Sequence, residues 1–60
     1  MARFEINYLT GSTEYVTATE VGYDADAEDY TFRNGDRLNA LIPARNVLSI
    51  HRQDDGAVSG

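Results

Sequence analysis

The sequence predicts an all-β protein, a small and strongly bent five-stranded barrel with one 3₁₀ turn before its last strand. Three observations carry this. Apolar and polar residues alternate with period two in several short runs. Gly, Asn and Pro punctuate those runs at close intervals. No stretch shows a helical period longer than a turn, so the sheet can bury its apolar side only by curling on itself.

The first strand is read from Arg3 to Tyr8, with Phe4, Ile6 and Tyr8 on one side and Arg3, Glu5 and Asn7 on the other. Gly11-Ser12 supplies a turn. Thr13 to Tyr23 is rich in Thr, Val and Tyr and reads as the second strand, but its phase changes midway. Val16 and Ala18 share one parity and Val21 and Tyr23 the other, which is what a bulge or sharp bend does, and Gly22 is the candidate for it. Asp24 to Asp29 reads as an acidic loop. Tyr30 to Arg33 resumes the alternation, and Asn34-Gly35 marks a tight hairpin of type I′. Leu38, Ala40 and Ile42 line the returning strand, which Pro43 ends because proline cannot donate to the ladder. Ala44-Arg45-Asn46 is long enough for one 3₁₀ turn. Val47 to Arg52 closes the barrel as a short strand with Leu48 and Ile50 on its apolar side. The expected core is Phe4, Ile6, Val16, Ala18, Val21, Tyr30, Phe32, Leu38, Ala40, Ile42, Val47 and Ile50.

Sixty residues hold one domain, read as residues 1–53, with a disordered polar tail over 54–60. Cysteine is absent, which excludes disulfide staples, zinc ribbons and thiol chemistry. No run of about 18 apolar residues is present, and no basic segment precedes an apolar one, so neither a membrane span nor a signal peptide is expected and the location read is cytoplasmic. A chain this small is marginally stable alone, and self-association is one of its ordinary remedies.

All five cations are Arg, a usage that fits a GC-rich genome such as that of an actinobacterium or its phage. Charge is segregated: residues 1–29 carry a net −6, residues 30–53 a net +3, and Asp54 and Asp55 complete the total of −5. Either the two halves neutralise one another across the sheet, or the surface is bipolar and docks head to tail or onto an anionic partner.

The segment Leu41-Ile42-Pro43-Ala44-Arg45-Asn46-Val47-Leu48-Ser49-Ile50 resembles the closing part of SH3-like barrels, where a proline-marked 3₁₀ turn leads into the last strand. The pattern over residues 3–52 is similar to small single-domain barrel proteins of actinobacteria and their phages. It departs from functional families within the class. The chain has no Trp and no Ala-Leu-Tyr-Asp-Tyr-like stretch, as proline-rich peptide binding would need. Arg45-Asn46 stands where Sm-like RNA-binding rings carry an Arg-Gly pair.

The acidic loop lacks the Gly and Glu spacing of an EF-hand and reads as solvated, so no metal or other cofactor is expected. His51 is the single histidine and faces out, with no carboxylate or nucleophile implied beside it. No pair of groups with complementary catalytic roles can be named, and the reading is non-enzymatic. Four tyrosines exceed what so small a core can hold, and Arg is the cation favoured at protein interfaces. Tyr15, Tyr23, Arg33, Arg37 and Arg45 are therefore the interface candidates of a self-associating protein-interaction module with a protein partner. The alternatives are nucleic-acid binding by the Arg-rich half, which the acidic whole opposes, and an acidic mimic of nucleic acid that occupies a host protein.

Overall fold

In the computed structural model, residues 1–53 are described. They form six strands, β1 (Ala2–Tyr8), β2 (Thr13–Ala18), β3 (Glu20–Asp24), β4 (Asp29–Asn34), β5 (Arg37–Pro43) and β6 (Val47–Gln53), with a 3₁₀ turn over Ala44–Asn46 between the last two. The strands make two three-stranded antiparallel sheets, ordered β2-β1-β6 and β3-β4-β5. The fold is all-β, as the alternation predicts, with six strands in place of five. The expected tail over 54–60 lies outside the described residues, and β6 runs one residue past the predicted Arg52, to Gln53.

The extra strand comes from the corner in the predicted run from Thr13 to Tyr23. The phase change is real, but it sits at Thr19 and not at Gly22. Thr19 donates its backbone N–H to the Arg33 carbonyl at 2.9 Å, and its hydroxyl donates to the same oxygen at 2.9 Å. The hydroxyl also accepts from the Gly35 N–H at 3.3 Å. Chain direction thus changes where one side chain can tie the bend to the β4–β5 hairpin. Gly22 serves a close approach instead: a Cβ there would stand 3.2 Å from Thr31 Oγ1, its neighbour in register on β4.

Two turns hold positive-φ glycines. Gly11 (φ 97) lets the chain return from β1 to β2. Between β4 and β5 the two-residue loop is Gly35-Asp36, closed by the Asn34–Arg37 pair. Gly35 has φ 65 and Asn34 is not left-handed, so the hairpin has the Gly-first pattern of a type II′ turn and not the expected type I′ turn. The predicted acidic loop is shorter than its acids: Asp24 and Asp29 are paired strand residues. Asp24 Oδ1 accepts the N–H groups of Asp26 and Ala27 at 3.0 and 3.2 Å, and Glu28, at φ 58, donates its N–H to the Asp24 carbonyl at 2.7 Å.

The buried core is Ala2, Phe4, Ile6 and Ala18 from the first sheet with Phe32 and Ile42 from the second. Phe4 and Phe32 meet edge to face, centroids 5.5 Å apart at 64°, and this contact joins the sheets. Tyr8, Val16, Tyr30, Ala40, Val47 and Ile50 pack around it, half-buried. Two expected core residues are outside. Leu38 is 48% exposed because the β4–β5 register shifts after Phe32, leaving Asn39 as the extra residue and placing Leu38 opposite outward-facing Arg33. Val21 faces inward beside Phe32 but lies on an edge strand and stays 39% exposed. A second register shift at Asn7/Tyr8 leaves Leu48 without an opposite residue, and it too points into solvent.

The bonds that stitch the sheets together fall at the Thr19 corner, where the bulged Asn39 also donates its side-chain amide to the Thr17 carbonyl at 2.9 Å. The core assignment makes a direct prediction. In urea denaturation, Phe32→Ala costs about 3–5 kcal/mol, enough to unfold so small a domain, whereas Leu38→Ser changes stability by less than about 0.5 kcal/mol.

Candidate functional site

Two surfaces stand out. The first is the outer face of the first sheet, where strand register collects a three-by-three array of polar side chains: Arg3, Glu5 and Asn7 in the centre, Thr13, Tyr15 and Thr17 on β2, and Ser49, His51 and Gln53 on β6. Their groups satisfy one another. Glu5 accepts from Asn7 Nδ2 at 3.0 Å, from Gln53 Nε2 at 2.9 Å and, more weakly, from the Tyr15 hydroxyl at 3.5 Å. Asn7 also donates to Ser49 Oγ at 3.1 Å and accepts from the Thr13 hydroxyl at 2.8 Å. The Arg3 guanidinium lies 4.2 Å from the centre of the Tyr15 ring.

His51 faces out, as expected, but it is not isolated. Its register partner across β1–β6 is Glu5, and its Nε2 lies 3.1 Å from Ser49 Oγ. That neighbourhood could not be read from a sequence in which Glu5 and His51 are 46 positions apart. A hydroxyl shared between Asn7 and His51 on an open sheet face holds strands in register and presents a hydrophilic surface.

The second surface is a groove between the two sheets, on the side where β3 and β6 are both edge strands. It has a volume of about 620 Å³. Phe4 is at its floor, Val21, Tyr30, Val47 and Ile50 form its walls, and Glu20 and Arg52 stand at its β3 and β6 rims. Leu48 borders it with most of its surface in solvent, 68% exposed. It combines apolar walls with two strand edges that pair with no further strand among the described residues.

The five candidate side chains are not gathered into one patch. Tyr15 is exposed on the polar face of the first sheet. Tyr23 is exposed near the end of β3, its ring tilted against Tyr30 at 5.3 Å, which places it beside the groove. Arg33 is opposite Glu20 in register, and Arg37 stands at the Gly35-Asp36 turn. Arg45 is at the other end of β5, in a small recess shared with Glu28 and Asp29. Glu20 with Arg33, and Arg45 with Glu28 and Asp29, are thus neighbours drawn from the two halves of the chain, while the arginines are spread over the length of the β4–β5 hairpin. Sequence reading missed the groove residues Glu20, Leu48 and Arg52. The phase change before Val21 was the available signal.

Among the described residues no three His, Asp or Glu side chains converge to hold a metal ion, and no helix is long and apolar enough to cross a membrane. In comparisons with family models, curated proteins and solved structures, the chain matched none.

The Tyr8 phenol is raised from 10.0 to about 12, first by burial, then by its hydrogen bond to Glu14 and the charge of that carboxylate. A tyrosine held neutral in the fold contributes stability that is complete below pH 10 and is lost as pH rises through 12. Absorbance at 295 nm should show a tyrosine ionising near pH 12 that Tyr8→Phe removes and that Glu14→Gln brings to lower pH.

Proposed function

We propose that the chain is a non-enzymatic protein-interaction module that associates with itself, built on an SH3-like barrel plan. The barrel reading draws support from the strand order. If β2 and β3 are taken as one strand bent at Thr19, the count falls to five and the 3₁₀ turn precedes the last strand, as in that class.

The observation that carries the functional reading is the balance between covered and uncovered apolar surface. Six residues form the buried core, while Met1, Leu9, Tyr15, Val21, Tyr23, Leu38, Leu41 and Leu48 remain exposed among the described residues. A domain of this size has little stability to spare, and any partner that binds only the folded state adds to it by mass action. Apolar surface exposed beside a formed groove is the kind that protein partners cover. Of the five candidate side chains, Tyr23 has its ring tilted against Tyr30, which lines that groove.

Light scattering over a concentration series tests this. The expected mass rises above the 6.6 kDa of one chain with increasing concentration and falls back toward it in high salt, because charge contributes to the contact. A mass of one chain at every concentration would overturn the self-association reading.

A further inference from the structure

We propose that the turn between β4 and β5 is a self-modification site, at which Asn34 deamidates through attack by the Gly35 nitrogen, and that the Thr19 hydroxyl holds the rate down in the folded chain.

The reactive pair is set by sequence. Asn7, Asn39 and Asn46 are followed by Tyr8, Ala40 and Val47, whose side chains crowd the nitrogen that would have to attack. Asn34 alone of the four asparagines is followed by glycine, which leaves that nitrogen open to a close approach. Asn7 and Asn39 are also tied by side-chain hydrogen bonds, to Glu5 and Ser49 and to the Thr17 carbonyl. Asn34 and Gly35 are both exposed to water, and among the described residues no hydrogen bond holds the Asn34 side chain.

The chemistry needs only water. The Gly35 nitrogen loses its proton and bonds to Cγ of Asn34. The bond from Cγ to the side-chain nitrogen breaks, and ammonia leaves with that proton. Water then opens the five-membered ring. Cleavage of the new Cγ–N bond restores the ordinary main chain with an aspartate at position 34. Cleavage of the original peptide bond leaves an isoaspartate, whose main chain runs through Cβ and Cγ and is one carbon longer. Either product adds one negative charge to a chain already at −5.

The fold restrains the attacking nitrogen. Gly35 donates its N–H to Thr19 Oγ1 at 3.3 Å, and that hydroxyl is itself fixed by donating to the Arg33 carbonyl at 2.9 Å. Asn34 is the last residue of β4 and pairs with Arg37, so carrying its amide to the nitrogen also turns the residue out of the ladder. Ring closure therefore starts from a locally opened hairpin. The aspartyl product can close the same two-residue turn. The isoaspartyl product cannot keep the Asn34–Arg37 pair and the Gly35–Thr19 bond together, because the added carbon lies between them.

Incubation of the folded chain in mildly alkaline buffer, followed by mass spectrometry of its peptides, tests this. The amide-to-acid mass change should appear at Asn34 and not at Asn7, Asn39 or Asn46, partly as isoaspartate, and Asn34→Gln should lack it. Thr19→Val should quicken the reaction about three- to tenfold, the range set by one net hydrogen bond, while Thr19→Ser keeps the hydroxyl and the slow rate. Asn39→Ala removes the other side-chain bond at the corner and should leave the rate near that of the original chain. An Asn34 that stays intact in the folded chain while the guanidinium-unfolded chain converts would overturn the site. Thr19→Val as slow as the original, or Asn39→Ala as fast as Thr19→Val, would overturn the role of the hydroxyl. If Thr19→Val does not fold, hydrogen exchange of the Gly35 amide in the original chain decides: protection supports the restraint, and exchange at the unfolded-chain rate overturns it.

Discussion

The fold depends on a change of direction at one residue. Between Ala18, fully buried in the first sheet, and Glu20, the first residue of the second, only Thr19 intervenes. Alternation would otherwise carry the apolar parity of β2 straight on. The corner inverts it, so that Val16 and Ala18 on one side and Val21 on the other face the same interior from two sheets. The Arg33 carbonyl takes both the backbone and the hydroxyl donor of Thr19, and the same hydroxyl receives the Gly35 N–H. A β-branched residue with a hydroxyl suits this place: it is compatible with extended backbone and can bond to the hairpin beyond.

From this corner the two sides of the molecule differ. Where β2 meets the β4–β5 hairpin, hydrogen bonds from Thr19 and Asn39 tie the sheets together. Away from it, β3 and β6 diverge as edges with a groove between them. The two sheets are joined inside by the Phe4–Phe32 contact and a handful of aliphatic neighbours, and apolar side chains remain at the groove.

Much of this architecture was legible in the sequence because it rests on local rules. Period two located Phe4, Ile6, Phe32 and Ile42, and Pro43 marked the end of β5 at its observed residue. What escaped depends on register. Leu38 has the parity of Ala40 and Ile42 and would be buried if the strand were regular; a single extra residue at Asn39 turns it outward. Gly22 looked like the bend because glycine permits one, yet the bend formed where a side chain could anchor it. Ala2 was missed because the first strand begins one residue earlier than its clean alternation. The neighbours of His51 come from β1, so neither Glu5 nor the shared Ser49 hydroxyl is visible without the sheet order. The groove is further still from local reading, since it is the space between two sheets, and the scattered candidates Tyr15, Arg37 and Arg45 show that residue type alone does not define a shared surface.

The self-association proposed for this chain would cover the side that the Thr19 corner leaves open. A dilution series followed by ¹H–¹⁵N correlation spectra tests it most directly, since each amide reports separately. Concentration-dependent shifts are expected at Val21, Tyr23, Leu48, Ile50 and Arg52, with the outer faces of both sheets unaffected. Shifts confined to Leu38 and Leu41 on the outer face of the second sheet, or no shifts at any concentration, would contradict it.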